Sequence, residues 1–305
     1  MRHTKTLIVI VGPTAVGKTD VAIQVANKFK TEIISADSRQ FYKELNVGTA
    51  KPSSTQLRAV KHHFVDNLSI QDKYSAGHFE KDAIILLDEV FKWHDQIVMV
   101  GGSGMYIKAV CEGFDDMPAI SEDIRKRLNY ELKEKGLGVL TERLKKLDSD
   151  YYDLVDLNNH QRVVRALEVI ESTKKPFSFF LKNSKPQNRN FNLVKIGLEL
   201  EREEIYNRIN IRLDEMIKNG LFEEAASLKG YRDRYALQTV GYTEIFSYLD
   251  GDYDYEEAIR LLKRNSRRYA KRQMTWFKKD KSVKWFDPNN QHQIIAYVTE
   301  QLKQD

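Results

Sequence analysis

Apolar, mostly β-branched residues run unbroken through Thr6-Leu7-Ile8-Val9-Ile10-Val11, a pattern that predicts a strand buried on both faces. A glycine-containing stretch follows, and then Val21, Ala22, Val25 and Ala26 recur at helical spacing with Phe29 behind them. The alternation repeats. Glu32-Ile33-Ile34-Ser35-Ala36 reads as a second strand, Ala83, Ile84, Leu87 and Val90 as the buried stripe of a helix, and Gln96-Ile97-Val98-Met99-Val100 as another strand. A further helix carries Ile107, Ala109 and Val110. Strands and helices in alternation predict an α/β fold on a parallel sheet, whose ligands gather at the carboxyl ends of the strands.

The pattern breaks at Asp115-Asp116-Met117-Pro118. From Ser121 to about Thr173 it is helical and highly charged, with Ile124, Leu128, Leu132, Leu137, Leu140, Leu144 and Leu147 at its apolar positions and no buried strand among them. Strand character resumes at Leu193-Val194-Lys195-Ile196-Gly197-Leu198, so the stretch reads as a small helical domain inserted into the α/β body. The expected borders are 1–118 and 193–305 for the body and 119–192 for the insertion, with the polar run from Lys182 to Asn192 around Pro186 as a mobile excursion. The last third is mostly helical. One helix holds Ile205, Ile209, Leu213 and Met216, Gly241 interrupts an aromatic and aliphatic run, and a final basic helix extends from Ala258 through Phe277.

Composition narrows the class. The 305 residues, 41% of them hydrophobic, suffice for a substantial core and a smaller second domain. No run approaches the roughly 18 apolar residues of a membrane span, and the first residues lead straight into a strand. A cytoplasmic protein without membrane attachment is expected. Cys111 is the lone cysteine and reads as an apolar filler in a reducing compartment. The formal charge is only +5, but Arg260, Lys263, Arg264, Arg267, Arg268, Lys271, Arg272, Lys278, Lys279, Lys281 and Lys284 crowd together. Such a patch suits a polyanion, and its interleaved aromatics suit a folded RNA loop better than a membrane.

The chemistry sits at the predicted strand ends. Gly12-Pro13-Thr14-Ala15-Val16-Gly17-Lys18-Thr19 matches GxxxxGK[ST] between a strand and a helix, the phosphate loop whose amides surround a di- or triphosphate. Lys18 would reach the phosphate oxygens and Thr19 would hold magnesium. The motif leaves nucleotide hydrolysis, phosphoryl transfer and other uses of a bound phosphate open. Asp37, ending the second strand, is the first choice for a general base, with helix capping as its plain alternative. Ser103 lies in the glycine turn Gly101-Gly102-Ser103-Gly104 after another strand, at the same end. Asn46 to Pro52 and His62-His63-Phe64 read as loops over the site. The two histidines lack metal-ligand partners at useful spacing and are assigned to packing or hydrogen bonding. Arg162 and Arg165 fall on neighbouring positions of one helix face.

Taken in order, these stretches resemble the tRNA dimethylallyltransferase family, the tRNA isopentenyltransferases. The resemblance rests on Gly12 to Thr19, Asp37-Ser38-Arg39-Gln40-Phe41-Tyr42, Gly48-Thr49-Ala50-Lys51-Pro52, Tyr74-Ser75-Ala76, Gly101 to Tyr106, Arg162 with Arg165 to Val169, Val240-Gly241-Tyr242, and Ala270 to Trp276. It spans nearly the whole chain and implies a P-loop NTPase-like parallel sheet core with an inserted helical tRNA-binding domain and a basic, helical C-terminal region. It also implies transfer of a dimethylallyl group from dimethylallyl diphosphate to the exocyclic N6 amine of the adenosine just 3′ of the anticodon. The loop from Gly12 to Thr19 would then cradle a leaving diphosphate, with Mg2+ as cofactor and Lys18, Asp37 and Ser103 as catalytic residues. Contacts to the tRNA anticodon stem-loop carry over to Asp37, Ser38, Arg39 and Gln40; Ser103; Arg125; Gln161, Arg162, Val163, Val164 and Arg165; Gln238, Thr239, Val240, Gly241, Tyr242 and Thr243; and Lys271, Arg272, Gln273, Met274, Thr275, Trp276, Phe277 and Lys278.

Three positions depart from the family's common residues: Ser103 where Thr is usual, Asn159 where Asp follows Asn, and Gln238 where some members carry Arg. The first keeps the hydroxyl and the other two each lose a charge. No interface pattern demands a dimer, so a monomer is expected. A P-loop small-molecule kinase shares the first strand, loop and helix but leaves the basic helix unexplained. An adenylate isopentenyltransferase shares the phosphate loop but leaves the insertion without a purpose. A non-catalytic RNA-binding protein would not need Lys18, Thr19 and Asp37 together.

Overall fold

The computed structural model describes residues 5–114, 118, 120–182 and 188–304. The expected break at Asp115-Asp116-Met117 and the turn at Pro186 lie outside the described residues. Two compact units divide the chain, one of residues 1–111 with 189–305 and one of residues 112–188. The insertion thus begins at Glu112, where α4 (Gly104–Glu112) ends, and closes at Asn188, earlier at both borders than the apolar pattern suggested.

The first unit is built on six strands, β1 (Thr6–Val11), β2 (Ile33–Ser35), β3 (His62–His63), β4 (Gln96–Gly101), β5 (Asn192–Leu198) and β6 (Lys284–Phe286), in the order β3-β2-β4-β1-β5-β6. Every pair is parallel, as the uninterrupted apolar run of β1 requires: Leu7, Ile8, Val9 and Ile10 are all fully buried, and a two-sided strand needs helices on both faces. Ile8 and Ile10 join Val21, Ala22, Val25 and Ala26 of α1 (Lys18–Phe29) with Ile294 and Val298 of α14 (Gln291–Gln304) in one core. Two elements depart from expectation. His62 and His63 form β3, not a loop, because their backbone pairs with Ile33 and Ile34. β6, too short for a hydropathy pattern to announce, pairs with β5.

Parallel register decides where the chemistry converges. Val11 lies opposite Gly101 on one side and Gly197 on the other, and Ser35 lies opposite Val100. The loops after β1, β2 and β4 therefore leave one sheet edge together, as expected for a ligand site of this architecture.

Before the insertion, α2 (Ser54–Ala59) and α3 (Ala76–Val90) open with complete capping boxes from Ser53 and Ser75. The second unit is helical, as the charged stretch with its recurring apolar positions predicted: α5 (Glu122–Lys135), α6 (Leu137–Leu147), α7 (Ser149–Leu154), α8 (His160–Thr173) and α9 (Phe177–Lys182). Leu128, Leu140, Leu144, Val163, Val164 and Leu167 share its core. Val163 and Val164 are therefore corrected from RNA contacts to core residues; the helical period turns them opposite to exposed Gln161 and Arg162. Asn159 caps α8, accepting from the Arg162 amide at 3.3 Å. Asn caps as well as Asp, which gives this departure from the family residue a local role.

After the insertion come α10 (Arg202–Lys218), α11 (Leu221–Ser227), two short 3-10 turns (Lys229–Tyr231 and Tyr235–Leu237), α12 (Tyr242–Leu249) and the long α13 (Tyr255–Phe277). Asp254 caps α13 through the Glu257 amide at 2.8 Å. Ala258, Leu262, Ala270, Gln273 and Phe277 form its buried face, while Arg268, Lys271 and Arg272 are exposed. Among the described residues no helix is long and apolar enough to cross a membrane.

Gly197 gives the sheet a direct test. A Cβ added there would lie 2.6 Å from the Trp285 ring on the neighbouring strand, so Gly197→Ala is predicted to destabilise the first unit by about 1–3 kcal/mol, read as a lower urea midpoint.

Candidate active site

The phosphate loop has the backbone its motif predicts. Gly12 (φ 154°), Ala15 (φ 64°) and Gly17 (φ 100°) take positive φ, and a Cβ on Gly12 would fall 2.7 Å from the Leu198 carbonyl oxygen. Only glycine fits there. Gly17 caps α1 without a side-chain hydrogen bond, so the amides of the first turn remain available to an anion. Lys18 Nζ donates to the Pro13 carbonyl oxygen at 2.7 Å. Its desolvation lowers the pKa from 10.5 to about 8, with Asp37 opposing the shift and Arg212 adding to it.

That guanidinium is a site residue the sequence reading missed. Arg212, on α10, donates to Thr14 Oγ1 at 3.3 Å; burial lowers its pKa and Asp37 raises it. Arg208, one turn earlier on α10, comes within 4.0 Å of where a Gly17 Cβ would stand. The available signal was the spacing of two arginines by four on a helix whose apolar stripe lies elsewhere.

Asp37 Oδ1 accepts from the Arg39 amide at 3.0 Å, which orients the carboxylate. Lys18, Thr19, Ser35, Asp37, Gln40 and His62 line one cleft. Electrostatics extends the neighbourhood to Tyr269, whose hydroxyl is pushed up to about 12 by burial first and by Asp37 second. Ser103 is half-buried; its hydroxyl accepts from the Ser38 amide at 2.9 Å and donates to Ser38 Oγ at 3.1 Å. It fastens the Asp37 loop to the β4 turn.

Gln273 is a second correction, because the basic helix turns it inward. Its Oε1 accepts from the Thr14 amide at 2.9 Å and its Nε2 donates to the Gly102 carbonyl oxygen at 3.0 Å, joining the phosphate loop to the β4 turn. Phe277 is likewise core. Trp276 is partly exposed, yet its indole packs so tightly on Gly104 that a Cβ there would collide with it. Lys271, Arg272, Thr275 and Lys278 face solvent, and Met274 is half-buried.

Tyr242 is also buried. Its hydroxyl donates at 2.7 Å to Glu224, whose carboxylate also accepts from the amides of Asn46 and Val47, both at 2.8 Å, and of Gly48 at 3.0 Å. This holds the loop whose Thr49 and Ala50 carbonyls accept from Gln40 Nε2 at 3.5 and 3.1 Å. Gln238 and Thr243 remain exposed, Thr239 and Val240 half-buried, and Gly241 buried as the α12 cap. The Gln238 carbonyl accepts from Arg39 Nη2 at 3.4 Å. The Arg39 guanidinium lies 4.6 Å over the Tyr235 ring, and its buried Nη1 has no hydrogen-bond partner among the described residues.

In the second unit, Arg125 donates to both oxygens of buried Glu168, at 2.7 and 3.2 Å, and Arg165 adds a third bond at 3.3 Å. Both arginines are thus partly committed to a buried carboxylate that needs them. Arg162 and Gln161 are the exposed pair.

The arrangement can hold a polyanion against Lys18, Arg212 and loop amides while a carboxylate at the same cleft handles a proton. The model of the IPP transferase family matches residues 40–280. A tRNA dimethylallyltransferase of Christiangramia forsetii is 52% identical over 97% of this chain and 98% of its own, and one of Cytophaga hutchinsonii is 48% identical over 98% of each. The crystal structure of a tRNA isopentenylpyrophosphate transferase of Bacillus halodurans superposes with a TM-score of 0.74 at 38% identity, covering 98% of this chain and 97% of that one.

Replacing Gln273 with Leu keeps its volume but leaves the Thr14 amide and Gly102 carbonyl unpaired. Gln273→Leu is expected to lose about 1–3 kcal/mol of stability by urea unfolding, with weaker diphosphate binding in calorimetry as the phosphate loop loosens.

Proposed function

The chain belongs to the IPP transferase family, and on that premise we propose how its cleft performs the family's reaction. It is a tRNA dimethylallyltransferase, an enzyme that transfers a dimethylallyl group to adenosine in tRNA. The phosphate loop binds the diphosphate of dimethylallyl diphosphate. The N6 amine of the adenosine 3′-adjacent to the anticodon attacks the carbon bonded to it, and the carbon–oxygen bond breaks to release diphosphate. The single observation that carries this reading is the placement of Lys18 and Asp37 in one cleft, with Arg212 of α10 brought to Thr14 of the phosphate loop beside them.

Breaking the carbon–oxygen bond develops negative charge on the leaving oxygens. Lys18 Nζ would exchange the Pro13 carbonyl for a phosphate oxygen, and Arg212 and the α1 amides would face the same charge, in a desolvated place where such donors act strongly. Asp37 orients the amine and takes the proton that nitrogen sheds on forming its new bond to carbon. Tyr269, neutral at physiological pH, is a hydrogen-bond donor or acceptor at the same place.

A divalent cation fits the cleft on the chemistry of its donors. The Thr19 hydroxyl is a hard oxygen ligand, and among the described residues no cluster of three His, Cys, Asp or Glu side chains forms a protein cage. That donor set suits Mg2+, which takes few protein ligands beside phosphate oxygens and water. Bound there, the cation would supply positive charge to the departing diphosphate.

For the RNA, Arg162 and Gln161 on α8 and Lys271, Arg272, Thr275 and Lys278 on α13 offer exposed contacts. The unpaired Arg39 Nη1 is suited to a phosphate or base oxygen. Extruding the target adenine costs least from a loop.

The reading is tested by incubating a tRNA pool with the protein and dimethylallyl diphosphate and looking by mass analysis for adenosine carrying one added five-carbon unit; AMP and ATP as sole acceptors are expected to stay unmodified. In single-turnover measurements Asp37→Ala should slow transfer by about 100–10,000-fold with diphosphate affinity nearly kept. An unchanged rate would remove Asp37 from its role. Arg162→Ala should weaken tRNA binding and reduce the slope of log affinity against log salt by about one.

A further inference from the structure

His62 lines the phosphate cleft beside Lys18, Thr19, Ser35 and Asp37 without a part in the reaction described so far. β3 holds its backbone opposite Ile33 of β2. Its Nδ1 lies 2.8 Å from the Val60 carbonyl oxygen. A carbonyl only accepts, so Nδ1 carries the proton and donates it, and Nε2 carries a lone pair. Nε2 is buried and has no hydrogen-bond partner among the described residues. A buried acceptor left unpaired is costly and rare, and calls for a partner from outside the chain.

The chemistry of that partner is restricted. A lone pair repels phosphate oxygens, so Nε2 cannot serve the diphosphate as Lys18, Arg212 and the loop amides do. It requires a donor or a cation. Burial also lowers the imidazole pKa, which keeps the lone pair free at neutral pH. Thr19 shares the cleft wall, and a magnesium-like ion held by one hydroxyl and phosphate oxygens keeps several waters. Waters bound to a cation are strong donors, and ligands in contact with a metal are commonly oriented by such outer partners.

We propose that His62 Nε2 accepts a hydrogen bond from the water shell of the divalent cation that accompanies the diphosphate, and so positions that cation against Thr19. The Val60 bond fixes the tautomer and the ring, and β3 fixes the backbone. The proposal rests on the reading of this cleft as the diphosphate site.

Calorimetric titration of the full chain with diphosphate, with and without Mg2+, tests it. His62→Phe keeps a ring of similar size and removes the lone pair; His62→Gln returns an oxygen acceptor near the position of Nε2. His62→Phe is expected to lower affinity for diphosphate with Mg2+ by about 10–100-fold, to leave metal-free diphosphate binding within about twofold, and to be partly rescued in His62→Gln. Equal losses with and without Mg2+ would assign His62 to packing and overturn the proposal. So would unchanged affinity, or a loss confined to tRNA binding, which would point Nε2 at the adenine amine. A measurement on the unaltered protein covers the case in which His62→Phe does not fold. With 15N-labelled histidine, the His62 Nε2 resonance should move on adding Mg2+ and diphosphate together and not on adding diphosphate alone; a resonance that stays put overturns the proposal. Failure of the wild type to bind diphosphate under either condition would instead refute the reading of the cleft.

Discussion

Two cations, Lys18 and Arg212, share the field of one carboxylate, Asp37, beside the phosphate loop, all three of them half-buried. Burial pushes Lys18 down to about 8, because its charge is partly withdrawn from solvent while it rests on the Pro13 carbonyl. A bound polyanion relieves that imbalance. The phosphate loop, the open amides of α1 and the parallel register that brings β1, β2 and β4 to a common end all serve this one electrostatic demand.

Holding the loops in place falls to buried and half-buried side chains. Gln273 ties the phosphate loop to the β4 turn, Ser103 ties the β4 turn to the Asp37 loop, and Glu224 gathers the amides of residues 46–48. The consequence for function is clearest in α13. Its inner face supplies Gln273 to the site and its outer face presents Lys271 and Arg272 to solvent, so one rigid helix carries both a brace of the diphosphate loop and a surface suited to RNA. Tyr242 plays a similar double part: its hydroxyl completes the Glu224 cluster at the head of a helix whose flanking Gln238 and Thr243 are exposed.

The α/β core was legible because β1 is apolar from Leu7 to Val11 and α1 repeats at helical spacing. The phosphate loop was legible because its glycines and Lys18 have fixed mechanical jobs. Inward-facing polar residues were not. Gln273 stands among lysines and arginines and reads as surface until the helix is seen to bury that side, and Val163 and Val164 follow two exposed RNA-type residues yet turn to the core. Arg212 lies far from the motif in sequence, and only the packing of α10 against the phosphate loop brings it to Thr14. β3 and β6 are too short for alternation to reveal; their neighbours in the sheet define them.

Arg212 tests this electrostatic demand most directly, because it faces the phosphate loop from outside the motif. Diphosphate affinity of Arg212→Ala, measured by calorimetry at neutral pH, should fall by about 10–100-fold, the worth of one charge-assisted hydrogen bond, while tRNA affinity stays near that of the unaltered protein. Unchanged diphosphate affinity, or a fall in tRNA affinity alone, would contradict it.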